Sequence, residues 1–171
     1  MGAGLSLHGP DAPGDHADMA RKHLLIVFHS QTGNTERLAC AAARGALEAD
    51  EVEVRCLWAK EAAARDLLWA EGLLLGTPEN LGYLSGALKD FFDRTYYPVQ
   101  GLIQTLPYGL FISAGNDGRG AALHIQRIAR GYPFRLVQEP LICRGTLTEA
   151  HLAQAQEMGE ALATGLSLGI F

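Results

Sequence analysis

The 171-residue sequence is short of several things, and each shortage closes a class of function. It has no block of basic residues: 14 Lys and Arg stand against 19 Asp and Glu, a net charge of −5. That balance gives no electrostatic footprint for a nucleic-acid backbone, so no nucleic-acid partner is expected. No apolar run approaches the roughly 20 residues that cross a bilayer, and no membrane insertion is expected. Residues 1–22 lack the basic start and apolar stretch of a secretory signal, which makes a cytoplasmic location the expectation. Cysteine is scarce and odd in number. Cys40, Cys56 and Cys143 fit neither a disulfide framework nor a zinc-ligand spacing. Cys40 lies in an Ala-rich helical pattern and the other two in strand-like runs, so all three read as buried free thiols. The six histidines form no pair at helical spacing, and no metal site is expected.

What is present is ordinary globular material: 48% apolar and 19% charged, with no long low-complexity tract. That length and composition suit one domain with a full core. Residues 1–22 are set apart by turn chemistry, Gly9-Pro10-Asp11 and Pro13-Gly14-Asp15, and read as a flexible N-terminal arm. Met1-Gly2 with Ser6 fits a loose myristoylation pattern of a kind that arises readily by chance. Residues 23–171 alternate strand and helix. His23–Phe28 is a continuous apolar run, as in a strand buried on both faces, and Ala/Leu-rich helix follows from about Thr35 to Ala49. Val52, Val54 and Cys56 alternate with polar residues, as on an outer strand, and Ala62–Trp69 reads as a short helix. Gly72–Gly76 is a second buried strand ending at Thr77-Pro78. The helix expected over Ser85–Tyr96 places Leu88, Phe91 and Phe92 on one face with Leu84, and pairs Lys89 with Asp93 and Asp90 with Arg94 at i,i+4. Tyr108–Ser113 is a third buried strand, followed by a helix. Phe134–Cys143 reads as the last strand and Glu149–Leu166 as the closing helix.

Five strands, the apolar ones buried, alternate with crossover helices, which implies a mostly parallel sheet covered on both faces. Ligands of such sheets sit outside the carboxyl ends of the strands. Three loops lie there. The first, His29 to Thr35, carries hydroxyls at Ser30, Thr32 and Thr35, with Gly33 just before a helix start. Exposed amides and the positive end of a helix make an anion site. Asn34 stands where a P-loop needs Lys, and a G-x-G-x-x-G is absent, so neither a nucleotide triphosphate nor a dinucleotide cradle is supported. A neutral, hydroxyl-rich nest suits a single phosphomonoester; the alternative is a helix cap with no ligand. The second loop, Gly76 to Tyr83, is long for a strand-to-helix connection. Asn80, Gly82 and its amides suit hydrogen bonds to a flat heterocycle on which Tyr83 stacks, unless Tyr83 and Leu81 simply pack over the next helix. The third, residues 114–120, has three glycines around Asn116, Asp117 and Arg119. It is weak evidence alone, but beside the other two it describes one side of a cleft.

Ser30-Gln31-Thr32-Gly33-Asn34-Thr35 after a buried strand resembles the phosphate-binding signature of flavodoxins and flavodoxin-like proteins. Gly76-Thr77-Pro78 through Phe91-Phe92-Asp93-Arg94-Thr95 resembles the corresponding stretch of flavodoxin-like NAD(P)H:quinone oxidoreductases and NAD(P)H-dependent FMN reductases. The resemblance spans about residues 23–165 in element order. It implies an α/β flavodoxin-like three-layer sandwich with a five-stranded parallel sheet in order 2-1-3-4-5, binding FMN. Ser30, Gln31, Thr32, Gly33, Asn34 and Thr35 would hold the phosphate. Pro78, Glu79, Asn80, Leu81, Gly82 and Tyr83 would line the ribityl chain and ring, and Ala114, Gly115, Asn116, Asp117 and Gly118 would close the other side. The flavin would then carry the chemistry, so no catalytic acid, base or nucleophile is required. Arg119 is a candidate grip for a nicotinamide cofactor's phosphate, with a plain surface Arg as the alternative.

Three functions follow from that implication: an NAD(P)H-dependent oxidoreductase passing electrons to a quinone or similar acceptor, an electron carrier docking on redox partner proteins, or a reductase of free FMN. Other users of this kind of sheet fit poorly. A receiver domain needs acids where His29-Ser30 and Gly76-Thr77 stand, no Cys has Arg at the sixth position after it, and no Ser sits in a G-x-S-x-G elbow. Tyr96-Tyr97-Pro98 and Gly169-Ile170-Phe171 leave a homodimer contact open.

Overall fold

Strand β1 (Lys22–Phe28) forms from the continuous apolar run, and its last five residues are buried. This computed structural model describes residues 21–171. The arm expected over residues 1–22 and the myristoylation pattern therefore lie outside the described residues, save that Lys22 already belongs to β1. Parallel to β1 on either side run β2 (Val52–Trp58) and β3 (Gly72–Pro78). Next to β3 comes β4 (Leu106–Ala114), and beyond it β5 (Phe134–Leu136), so the order is β2-β1-β3-β4-β5 as expected.

Strand side chains alternate between two cores. Leu24, Ile26 and Phe28 face helices α1 (Asn34–Leu47) and α5 (Glu149–Ser167), together with Leu38, Ala42, Ala155 and Leu162. Leu25, Val27, Leu73 and Leu75 face α2 (Ala64–Trp69), α3 (Gly86–Val99) and α4 (Arg119–Gly131), together with Leu67, Leu88, Phe91 and Ile125. The two ion pairs expected on α3 form, Lys89 to Asp93 at 2.6 Å and Arg94 to Asp90 at 2.7 Å. The Arg94 guanidinium also donates to the carbonyls of Ala62 and Ala59, which ties α3 to the approach to α2.

Two expectations are corrected. The last strand is not continuous over Phe134–Cys143. It breaks into β5 and β6 (Leu141–Arg144), both parallel to β4, and four residues (137–140) stand opposite only two of β4 (109 and 110). Pro140 has no N–H for a ladder, and Gln138 turns inward to donate from Nε2 to the Met158 carbonyl at 3.0 Å. Cysteine burial is the second. Only Cys143 is buried; Cys40 and Cys56 are exposed. The buried face of α1 is made by Leu38, Ala39, Ala41, Ala42, Gly45 and Ala46, which leaves position 40 outward, and Cys56 sits on the edge strand β2.

Candidate functional site

The loops that follow β1, β3 and β4 meet at one end of the sheet around a cleft of about 330 Å³, lined by Gln31, Thr32, Asn34, Pro78, Glu79, Asn80, Ser113, Ala114, Gly115 and Gly145. Each of the three loops singled out in the sequence contributes. In the first, the Ser30 hydroxyl accepts from the Gly33 amide at 3.1 Å and folds the loop onto itself. Gly33 enters α1 at φ 98°, a left-handed conformation that disfavours side chains with a Cβ. Having no side chain, it also leaves α1 without a side-chain cap. The other long helices are each capped. Ser85 accepts from the Leu88 amide on α3, Thr148 from the His151 amide on α5, and α4 is capped from a distance. Among the described residues, α1 is thus the long helix whose first-turn amides have no side-chain acceptor, and it opens on the cleft.

The second loop is tied at its base by Thr77, whose hydroxyl accepts from the Ser85 amide at 2.9 Å and donates to the Pro78 carbonyl at 2.8 Å. At its tip Asn80 and Tyr83 exchange both backbone hydrogen bonds, at 2.9 and 3.0 Å, across a two-residue turn. Both central residues have positive φ, Leu81 at 53° and Gly82 at 74°. That is the signature of a type I′ turn, in which Leu is strained. Leu81 is also fully exposed. The Asn80 amide donates to Gln31 Oε1 at 3.1 Å and joins the first loop to the second.

Glu79, a ligand-lining residue by the sequence reading, does border the cleft, but its carboxylate is already engaged. Oε1 accepts from the Gly118 amide at 2.9 Å and Oε2 from the Ala121 amide at 3.1 Å, so Glu79 caps α4 and joins the second loop to the third. Gly120 allows the close approach this needs, since a Cβ there would lie 2.2 Å from the Gly82 carbonyl oxygen. Tyr83 leans on His124 of α4, ring centroids 4.6 Å apart, and packs against the core beneath α4. In the third loop, Asp117 pairs with Arg119 at 2.6 Å, and its carbonyl accepts from Arg144 at 2.7 Å. Ser30, Gly33, Thr35, Leu81, Gly82, Tyr83, Asn116, Asp117 and Gly118 stand around the cleft without lining it.

Sequence reasoning missed Ser113 and Gly145. Ser113 is the next-to-last residue of β4, and Gly145 follows β6 at the same sheet end. The rule that picked the other loops, attention to carboxyl ends of strands, picks these as well once a Gly-containing turn after the last strand is counted. The charge balance of the lining is simple. Glu79 is its one charged side chain, and it faces α4. His29, at the start of the first loop, is held below its ordinary pKa by burial and then by the nearby Lys60. The cleft can therefore take an anion on free backbone amides beside uncharged side chains.

No protein-family model matches the chain. Its sequence is similar to a flavodoxin of Aquifex aeolicus, 37% identical over 97 residues that cover 57% of this chain and 52% of that protein. It is also similar to a quinone oxidoreductase of Triphysaria versicolor, 31% identical over 124 residues that cover 60% of each. The matches thus span under two thirds of either relative. Among solved structures, a flavodoxin from the domain Archaea superposes with a TM-score of 0.75 over 84% of this chain and 98% of that one, at 22% identity. The fold is flavodoxin-like. The loops after β1 and β3, which carry the two stretches singled out in the sequence, both contribute to the lining of the cleft.

Proposed function

We propose that the cleft binds FMN and that the protein is an oxidoreductase taking electrons from NAD(P)H and passing them to a quinone or similar acceptor. The observation that carries the first half is the uncapped start of α1. Its amides, with the hydroxyls of Ser30, Thr32 and Thr35, suit the phosphate of a flavin mononucleotide and leave no cation to favour a polyphosphate. Pro78, Glu79, Asn80 and Leu81 on one side and Ala114 to Gly118 on the other would flank the ribityl chain and ring, with Tyr83 behind them. Bound FMN would supply one- and two-electron chemistry at its ring. The chain's own part is to hold the phosphate on α1, keep the two flanking loops at a fixed separation through Glu79, and shield one ring face with the 80–83 turn.

The second half is supported by the quinone oxidoreductase relative. The flavodoxin relative, at higher identity, favours a second reading in which the protein is a carrier that docks on redox partners without turning over NAD(P)H. One experiment separates them. The purified protein is titrated with FMN and followed by visible absorbance, then mixed anaerobically with NADPH or NADH in the presence of a benzoquinone. Tight FMN binding with NAD(P)H oxidation supports the oxidoreductase. FMN binding without NAD(P)H oxidation, but with bleaching by dithionite, supports the carrier. A protein that binds no FMN refutes both.

A further inference from the structure

Between Arg119 and Arg144 the chain carries five arginines and a single acid, Glu139, in a protein whose net charge is −5. The fold puts this stretch on one edge. Arg119, Arg127 and Arg130 are exposed along α4, Arg135 is exposed on β5, and Arg144 is exposed at the end of β6. Among the described residues no carboxylate lies within ion-pair distance of Arg127, Arg130, Arg135 or Arg144; Asp117 takes only Arg119. Beside these charges is a hollow of about 490 Å³ between α4 and the β5–β6 edge, lined by Ala122, Leu136, Pro140 and Ile142 and, at its polar margin, by Arg119, Gln126 and Glu139, with Leu123 at its rim 61% exposed.

We propose that this edge is the docking face for an acidic redox partner protein. Cations in excess of acids along an edge that also holds a mostly apolar hollow have the anatomy of a protein interface, a hydrophobic core with a polar rim. A small anion would need the arginines to converge, whereas Arg119 and Arg130 stand about 16 Å apart along the helix axis. Charge decides the partner's sign: carboxylates are attracted here and repelled by the opposite edge, where Glu48, Asp50, Glu51 and Glu53 cluster at β2. The face is also wired to the cleft. Gly118 and Ala121 at the start of α4 bind Glu79, and His124 meets Tyr83. A partner seated on α4 therefore stands beside the third loop of the site. The consequence for electron transfer rests on the flavin reading above; the docking does not.

The test uses two haem proteins of opposite charge as probes, acidic cytochrome b5 and basic cytochrome c. Dithionite-reduced holoprotein, freed of excess reductant, is mixed with each oxidised cytochrome. Each haem iron takes one electron, two per reduced flavin, with the flavin's protons released to solvent. Electrostatic steering changes association rates by about 10- to 1,000-fold. We expect reduction of cytochrome b5 to fall at least about tenfold between low and high salt, and about tenfold in Arg127→Glu/Arg130→Glu at low salt. The same variant should reduce a neutral benzoquinone at the wild-type rate and cytochrome c faster. Salt-independent reduction of cytochrome b5, or an unchanged rate in the variant, overturns the proposal. Sedimentation with phosphatidylserine vesicles without any effect on cytochrome b5 overturns it in favour of a membrane surface. Salt-sensitive self-association abolished by the variant reassigns the face to a second copy. If the protein binds no FMN, calorimetric titration with oxidised cytochrome b5 still decides: binding lost in the variant supports the face, and no binding to wild type refutes it.

Discussion

Helices α1 and α4 start from the same local geometry. Each follows the carboxyl end of a strand, and each is entered through a left-handed glycine, Gly33 at φ 98° and Gly118 at φ 81°, that has no side chain to cap the first turn. Both starts therefore offer backbone amides and the positive end of a helix at the same end of the sheet. At α4 a carboxylate from another loop, Glu79, takes the Gly118 and Ala121 amides; at α1 no side chain does so. One helix start thus becomes an internal joint and the other remains open to a ligand. Local sequence makes the two sites equivalent, and one residue 39 positions before Gly118 distinguishes them.

The sharpest way to break the comparison is to give α1 what α4 has. Thr32, exposed at the rim of the cleft, is close enough in the loop for Thr32→Asp to set a carboxylate against the α1 amides. Two like charges at contact distance near a protein surface repel by several kcal/mol, about 4 at an effective dielectric of 20. FMN affinity should fall at least about a hundredfold, while riboflavin, which has no phosphate, should bind as before. Thermal stability should rise by about 0.5–1 kcal/mol from the new cap. Equal losses for FMN and riboflavin would remove the phosphate from α1.

The converse change opens α4. Glu79→Ala leaves two amides without their charged acceptor and unties the second loop from the third, at a cost of about 2–3 kcal/mol in urea melts. Glu79→Gln keeps one acceptor oxygen and should lose about half as much. If α4 then behaves as α1 does, inorganic phosphate should stabilise Glu79→Ala more than it stabilises wild type. An unchanged melting curve for Glu79→Ala would mean that the carboxylate contributes nothing to joining the loops.

What could be read from the sequence follows the same division between local and distant causes. Strand runs, crossover order and the three loops are local patterns, and the alternation of Leu24 to Phe28 between two cores follows once both faces are covered. The role of Glu79 was not legible, because it depends on α4 starting within reach of the second loop. Nor was the break at residues 137–140, where the same apolar residues that suggest a continuous strand are interrupted by Pro140 and by Gln138 turning to α5. Cys40 and Cys56 misled because a helical or strand pattern does not by itself say which face is outward.

A smaller effect lies in the turn that carries Glu79's loop. Leu81 occupies a left-handed position that costs a non-glycine residue about 1 kcal/mol. Leu81→Asn places the favoured Asn-Gly pair in a type I′ turn, and should raise the melting temperature by about 3 °C. If Leu81 shields the ring, FMN affinity falls at the same time, so stability and binding move in opposite directions. Parallel gains in both would make the exposed leucine irrelevant to the ligand.

The smallest expected effect concerns the charge of the open site. His29 is held below its ordinary pKa chiefly by burial and secondarily by Lys60, so the imidazole beside the α1 loop stays neutral at pH 7. The unfolded chain then takes up this proton first as the pH falls. Stability from keeping His29 neutral is present above the unfolded pKa of about 6.5 and is lost as the pH drops below it. Relative to His29→Gln, wild type should lose stability as the pH falls below about 6.5, by a small amount because the ring is partly solvated. A dianionic phosphate on α1 favours the protonated ring, so NMR titration of His29 should show its pKa rising when FMN is added and rising less with riboflavin. An identical response to both would place the phosphate beyond the reach of His29 and separate the open helix start from the loop that leads into it.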